Sequence, residues 1–245
     1  MNGLKKVFDK TGFFTITKVF ELQFIEKIIQ EINDAKDVKK YFDRNGKIRR
    51  IEKLYDKGEN LKILNNEVLK SLDNIFDKKF TIFKDKYNPK PAGGEGFYAH
   101  FDGIFKFKNQ QNVEKNGWYE YTDFFINVLI ALDPCNTQNG TIELANAEIN
   151  NFEDLYKKTK KNGTPDLTLD EENKLQFNSV DLNIGDVLIF SNTCPHRSKK
   201  NTSNKERKTL YYTYSLLSEK SQYDSYFFDK DNSGNITSKS LSGDI

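Results

Sequence analysis

Two histidines occur in this chain of 245 residues, and each sits in a setting suited to a metal ligand. One lies in His100-Phe101-Asp102 and the other in Cys194-Pro195-His196-Arg197-Ser198. Side chains two apart on a β-strand project from the same face, so His100 and Asp102 can hold one ion together. His196, distant in sequence, would complete a set of two imidazoles and one carboxylate. Such a set covers one face of an octahedral ion and leaves three places free, the facial arrangement of non-haem Fe(II) oxygenases. Zinc accepts the same donors and would instead serve a hydrolase. A His-x-Asp triplet alone recurs by chance, so the elements that carry it and His196 decide its weight.

The run Leu182-Asn183-Ile184-Gly185-Asp186-Val187-Leu188-Ile189-Phe190 ends shortly before His196. Gly185-Asp186 is a turn signal, and the apolar, β-branched run after it reads as a buried strand. Beyond His196 come the polar turn cluster Asn201-Thr202-Ser203-Asn204 and a second strand, Arg207-Lys208-Thr209-Leu210-Tyr211-Tyr212-Thr213-Tyr214. These two strands are expected to pair as a hairpin and return Arg207 to the neighbourhood of His196. A guanidinium there could clasp a carboxylate through two parallel hydrogen bonds. Ser198, on the same strand face as His196, could add a donor. Upstream, Lys86, Asn88 and Lys90 alternate on one strand face, and Arg197, Lys106 and Lys108 lie close in sequence to the ligands. That basic set suits either a small anion or an ordinary solvated surface.

Three segments together resemble the phytanoyl-CoA dioxygenase family of Fe(II)/2-oxoglutarate oxygenases. They are Phe83-Lys84-Asp85-Lys86-Tyr87-Asn88 with Pro91-Ala92-Gly93-Gly94-Glu95-Gly96-Phe97 leading into His100-Phe101-Asp102, then residues 133–140 with the Asn139-Gly140 turn, then residues 185–214. A weaker match is Tyr226-Phe227-Phe228-Asp229-Lys230. Within the family the likeness is to a bacterial subgroup that includes 2-aminoethylphosphonate dioxygenases. The resemblance implies a double-stranded β-helix, or jelly roll, of the cupin-like kind. It implies Fe(II) on His100, Asp102 and His196, and 2-oxoglutarate held by Arg207 with Ser198 and Lys86. Asn88, Phe101 and Trp118 would contact the substrate. Dioxygen would be the co-oxidant, ascorbate a supporting reductant, and the products succinate, CO2 and a hydroxylated small polar or anionic metabolite, with 2-aminoethylphosphonate the named candidate. Two departures bear on the substrate rather than the metal: Phe101 stands where family members usually carry Gln, and residues 141–147 lack the usual Pro-Gly-Ser-His stretch. Retention of Asp102 argues against the halogenase variant of this chemistry. From another class, a jelly-roll binding protein without turnover would account for the same fold, but it has no need of a carboxylate anchor at Arg207.

Composition bounds these readings. A net charge of +2 and a pI near 8.2 are close to balanced and give no sign of nucleic-acid binding. Twenty Phe and twelve Tyr supply a sandwich core. Cys135 and Cys194 offer neither a disulfide framework nor metal spacing and fit a reducing cytosol. No leader pattern opens the sequence and no apolar run is long enough to span a bilayer, so a cytoplasmic protein that binds a small molecule is expected. Oligomeric state leaves no mark.

One domain is expected over residues 1–245, with a mainly helical part at 1–79, a jelly-roll core at 80–217 and an extension at 218–245. Apolar residues recur at helical spacing at Phe20, Phe24, Ile28 and Ile32, and again from Leu61 to Phe76. From Phe80 the period changes to that of strands, at 80–83, 96–101, 124–132, 141–144, 187–190 and 207–217, with no alternating helices. Two insertions interrupt them. Residues 106–121 read as a lid or as an excursion packed on its own aromatics. Residues 147–176, with a helical stretch at 152–161, would cover the sheet or meet a partner subunit. Finally, Asp229-Lys230-Asp231-Asn232-Ser233-Gly234 resembles the start of a calcium loop, but the twelfth place is Ser240 rather than a bidentate glutamate, which favours a flexible turn.

Overall fold

The apolar runs at 125–131 and 187–191 become neighbouring strands in the middle of the larger of two antiparallel sheets. In this computed structural model, residues 2–43, 45–217 and 221–232 are described. Thirteen strands appear among them: β1 (Phe13–Ile16), β2 (Lys39–Phe42), β3 (Ile48–Glu52), β4 (Phe80–Lys90), β5 (Phe97–His100), β6 (Phe107–Lys108), β7 (Glu114–Lys115), β8 (Phe125–Ala131), β9 (Ile142–Leu144), β10 (Asn178–Ser179), β11 (Val187–Ser191), β12 (His196–Ser198) and β13 (Arg207–Leu216). The larger sheet runs β1-β11-β8-β13-β4-β3-β2 and the smaller β10-β9-β12-β5, while β6 and β7 form a separate hairpin. This is the expected jelly roll.

Strand alternation sorts the larger sheet's side chains into two cores. Ile126, Val128, Ile130, Val187, Ile189, Leu210, Tyr212 and Tyr214 face the helices α1 (Asn2–Thr11), α2 (Leu22–Asp34) and α3 (Glu59–Phe76), whose buried stripe carries Phe8, Ile25, Ile28, Ile32, Leu61, Leu64 and Leu72. Leu129, Ala131, Leu188 and Phe190 point the other way, toward Ile142 and Leu144 of the smaller sheet. The site lies on this inner side.

Three expectations change. The strands at 187–191 and 207–216 do not pair with each other, because β8 lies between them and pairs with both. The N-terminal part is not only helical: β1 adds to one edge of the large sheet against β11, and β2 and β3 extend the other edge beyond β4. The suspected calcium loop begins inside a helix, α6 (Tyr223–Asn232), and its first acids are engaged: Asp229 accepts from Tyr121 and Asp231 pairs with Lys39 and Lys53. Residues 233–240 of that motif lie outside the described residues.

Helix α6 is locked down by a buried ion pair. The Lys230 ammonium donates to both oxygens of Glu52 at the end of β3, with Arg50 3.4 Å away and the Tyr41 hydroxyl also donating. Burial by itself would raise the Glu52 pKa, but Lys230 and Arg50 outweigh it and hold the carboxyl down to about 2. A carboxyl lowered on folding contributes stability that is present above its unfolded value and lost as pH falls toward its folded one. Acid unfolding is therefore expected to set in as pH falls through about 4 toward 2. Replacing Lys230 by Met, which leaves a buried charge short of its main partner, is expected to cost about 3–5 kcal/mol in denaturant titrations. A loss under about 1 kcal/mol, the scale of an exposed pair, would contradict this role.

Candidate metal centre and cosubstrate cavity

His100 ends β5 and His196 begins β12, and these two residues are direct partners across the paired strands. That register brings the imidazoles together with ring centres 4.1 Å apart and their planes tilted by 52°. Asp102 follows one strand step beyond His100, and its backbone N–H donates to the Asn192 carbonyl. The result is one cluster in which ligand atoms of His100, Asp102 and His196 all lie within 4.8 Å of one another. His196 Nε2 is 3.6 Å from Asp102 Oδ2, and His100 Nε2 is 4.0 Å from Asp102 Oδ1.

The hydrogen bonds behind the rings fit a metal in front of them. His100 Nδ1 lies 2.7 Å from the Tyr98 carbonyl and His196 Nδ1 3.0 Å from the Cys194 carbonyl. A carbonyl only accepts, which assigns the proton to each Nδ1 and leaves each Nε2 lone pair aimed at the carboxylate. Burial, then the neighbouring His100, pushes the His196 pKa down to about 3, so this imidazole is neutral and able to ligate. Burial works against ionising Asp102, but His196, Lys86 and His100 hold it down to about 2 and charged.

Asn127 positions the carboxylate. Its Nδ2 donates to Asp102 Oδ2 at 2.9 Å, while its Oδ1 accepts from the Thr213 hydroxyl at 2.8 Å, which fixes the amide's orientation. Asn127→Ala is expected to weaken Fe(II) or Mn(II) affinity roughly 10–100-fold, the usual effect of losing an outer hydrogen bond to a ligand. An unchanged metal dissociation constant would remove Asn127 from this role.

The cluster opens into a cavity between the sheets. Arg207, buried at the start of β13, lines it; one terminal nitrogen donates to Thr209 at 3.0 Å, while Nε is buried with no hydrogen-bond partner among the described residues. The Asn88 side-chain oxygen, also in the lining, is likewise unpartnered. A buried guanidinium with donors to spare is suited to a carboxylate. Ser198 lines the same region and accepts from Lys90, whose buried ammonium also donates to the carbonyls of Gly140 and Lys199. Lys90 is thus a structural strut and no part of a solvated surface. Gly140 is required beside it: its φ is +70°, and a Cβ would sit 2.3 Å from the Lys199 carbonyl oxygen.

Of the other residues singled out in the sequence, Lys86, Asn88 and Trp118 line the cavity. Phe101 does not. The alternation that brings His100 and Asp102 together sends Phe101 to the opposite face, where it packs with Ala99, Ile104, Phe152, Leu155 and Leu167. Arg197 reaches the rim but is engaged by Glu143 and Glu172 at 2.7 Å each, and Lys106 pairs with Glu153 at 3.0 Å. Lining residues not identified from the sequence as site residues include the polar Arg50 from β3, Lys84 from β4, Tyr211 from β13 and Tyr226 from α6. Continuing the Lys86-Asn88-Lys90 alternation one step back would have found Lys84.

Both insertions border the site. Residues 106–121 form the β6–β7 hairpin and a short 3-10 turn that seats Trp118 directly over Gly103. Gly103 has φ +79°, and a Cβ there would lie 2.6 Å from the indole, so only glycine allows this closure. Residues 147–176 supply the short helices α4 (Phe152–Lys157) and α5 (Leu169–Glu172), cover the outer face of β5, and contribute Gly163 and Pro165 to the cavity wall.

Among the described residues no helix is long and apolar enough to cross a membrane. Comparison of the backbone with solved structures finds EctD from S. alaskensis, crystallised with 2-oxoglutarate and 5-hydroxyectoine, at a TM-score of 0.67 and 13% identity over 89% of this chain and 76% of that one. HygX from Streptomyces hygroscopicus, solved with nickel, 2-oxoglutarate and hygromycin B, superposes at 0.64 and 15% identity over 89% and 88%. In sequence the chain is 28% identical to a 2-aminoethylphosphonate dioxygenase from the uncultured bacterium HF130_AEPn_1, over 65% of this chain and 55% of that protein. It is 31% identical to a methylphosphonate hydroxylase from Gimesia maris, over 61% and 50%. The matches therefore span about half the length of these relatives. The model of the phytanoyl-CoA dioxygenase (PhyH) family matches residues 8–209, a span that holds all three residues of the cluster and Arg207, and the chain belongs to that family.

Proposed function

We propose that this protein is a Fe(II)- and 2-oxoglutarate-dependent dioxygenase that hydroxylates a small organophosphonate, with release of succinate and CO2. The observation that carries this reading is the pairing of the His100, Asp102 and His196 cluster with a buried, under-partnered Arg207 in one cavity. A binding module has no use for that guanidinium, nor has a zinc hydrolase. The phosphonate class is supported by the two curated relatives, both named for phosphonate substrates, and by a cationic lining. 2-Aminoethylphosphonate, named from the sequence, is one member of that class.

In this mechanism His100, Asp102 and His196 hold the iron, which when bound supplies the oxidising power for C–H hydroxylation. Arg207 takes the distal carboxylate of 2-oxoglutarate through its free donors, with the Ser198 hydroxyl beside it. Fixing that end orients the 2-oxo acid end toward the ligand cluster, so the entropy of alignment is lost on binding rather than during reaction. Trp118, Phe105 and Tyr226 in the lining exclude water from the reacting centre. The test is succinate formation by the purified protein with Fe(II), ascorbate and 2-oxoglutarate, with and without a panel of phosphonates. A phosphonate-dependent rise of about 10-fold or more with a hydroxylated product is expected. Absence of succinate under all conditions would overturn the reading.

A further inference from the structure

The charges around the cavity do not balance, and the imbalance narrows the substrate. Its lining carries the cations Arg50, Lys84, Lys86, Arg197 and Arg207 and a single acid, Asp102, which belongs to the metal cluster. Arg197 is neutralised at the rim by Glu143 and Glu172. Arg50 shares Glu52 with Lys230. The other nearby acid, Asp85, faces away and is saturated by the backbone N–H groups of Lys53, Leu54 and Tyr55 and by the Tyr223 hydroxyl. Two lysine side chains remain, and among the described residues neither has a carboxylate at ion-pair distance. Lys84 rests on the faces of Trp118 and Tyr226, 5.2 and 5.7 Å from the ring centres, and Lys86 on Tyr211 at 4.5 Å.

Register separates these two lysines from the cosubstrate anchor. Across the β4–β13 pair, Lys90 stands opposite Arg207, Lys86 opposite Tyr211 and Lys84 opposite Thr213. Lys86 and Lys84 are therefore four and six residues along the strand from the Arg207 level, roughly 13 and 20 Å at the rise of an antiparallel strand. Thr213 in turn bonds Asn127, which bonds Asp102, so this lysine pair lies at the level of the metal ligands. With 2-oxoglutarate spanning from Arg207 to the cluster, Lys84 and Lys86 face the space left for the substrate, which moves Lys86 from the cosubstrate contact expected from the sequence to a substrate contact.

Resting on the dioxygenase reading above, we infer that Lys84 and Lys86 seat the phosphonate group of the substrate, and that its organic part is uncharged, an alkyl or hydroxyalkyl chain without an amino group. An ammonium on that chain would find no free carboxylate in the lining. The faces of Trp118, Tyr226 and Tyr211 already receive lysines. The wall around the chain would be Trp118, Phe105 and Tyr226.

The test uses the 245-residue chain with methylphosphonate, ethylphosphonate, 2-aminoethylphosphonate and inorganic phosphate. Calorimetric titration of each into the protein loaded anaerobically with Fe(II) and 2-oxoglutarate reads binding without turnover, and succinate release reads coupling. An alkylphosphonate is expected to bind at least about 10-fold more tightly than the aminated one, a difference of 1.4 kcal/mol. Lys84→Met and Lys86→Met should each raise the alkylphosphonate dissociation constant about 10-fold or more while changing that of 2-oxoglutarate less than about 3-fold, with Lys84→Arg restoring part of the loss. Preference for 2-aminoethylphosphonate or for inorganic phosphate, or methionine variants that bind alkylphosphonate like the parent, would overturn the inference and leave the dioxygenase reading standing. Failure of the parent protein to bind Fe(II) and 2-oxoglutarate at all would overturn both.

Discussion

Replacing Arg207 by Met is expected to raise the 2-oxoglutarate KM by about 30-fold or more, with the metal still bound. The guanidinium is buried at 3% exposure, holds Thr209 through one nitrogen and has Nε without a partner. Truncating one partner of a buried, charge-assisted contact costs about 2–5 kcal/mol, which corresponds to roughly 30- to 5,000-fold in affinity. Arg207→Lys keeps the charge but loses the planar fork, so it should recover only part of the loss. The measurement is succinate formation against 2-oxoglutarate concentration at saturating iron. A KM within about 3-fold of the parent would mean that the cosubstrate is anchored elsewhere.

The second large effect is expected from His196→Ala. Asp102 would keep its Asn127 contact and His100 its carbonyl, but the imidazole that lies 3.6 Å from the carboxylate would be gone. Losing a ligand should exceed the roughly 10–100-fold effect of losing an outer hydrogen bond, so both metal affinity and succinate formation should fall by more than about 100-fold. Far-ultraviolet circular dichroism should stay that of the parent, because the strands on either side of β12 are held by backbone pairing. Iron retained at parental affinity with a parental spectrum would contradict the proposed ligand set.

The residues of the cluster were legible in sequence because their chemistry is scarce and their spacing simple. A chain with two histidines, one of them in His-x-Asp, leaves few ways to build an imidazole–carboxylate cluster, and strand alternation does the rest. The same alternation argues against Phe101 as a substrate contact, and the structure places it in a satellite core. The hairpin expected between 187–191 and 207–216 failed for a reason of topology. A jelly roll passes the chain through the second sheet, here through β12, before returning, so strands adjacent in sequence are not neighbours and β8 fills the gap. Arg207 still reaches the cavity because β13 enters it from the other side of β8. Arg50 was illegible because it comes from an element far from the motif segments, brought in at a sheet edge, whereas Tyr226 stands in the weaker match but nothing in the sequence shows that the Lys230–Glu52 pair carries its helix to the cavity. Lys90 and Lys86 look alike in sequence, yet one is a strut to Ser198 and two carbonyls while the other faces the cavity.

Anomalous diffraction at the iron edge, from crystals soaked without oxygen in Fe(II) and 2-oxoglutarate, tests the ligand set and the anchor together. The expected result is a single peak about 2 Å from Nε2 of His100, Nε2 of His196 and a carboxylate oxygen of Asp102, with the far carboxylate of 2-oxoglutarate on the Arg207 guanidinium. A peak away from those three atoms, or a cosubstrate whose distal carboxylate is held by other residues while Arg207 keeps only Thr209, would contradict it.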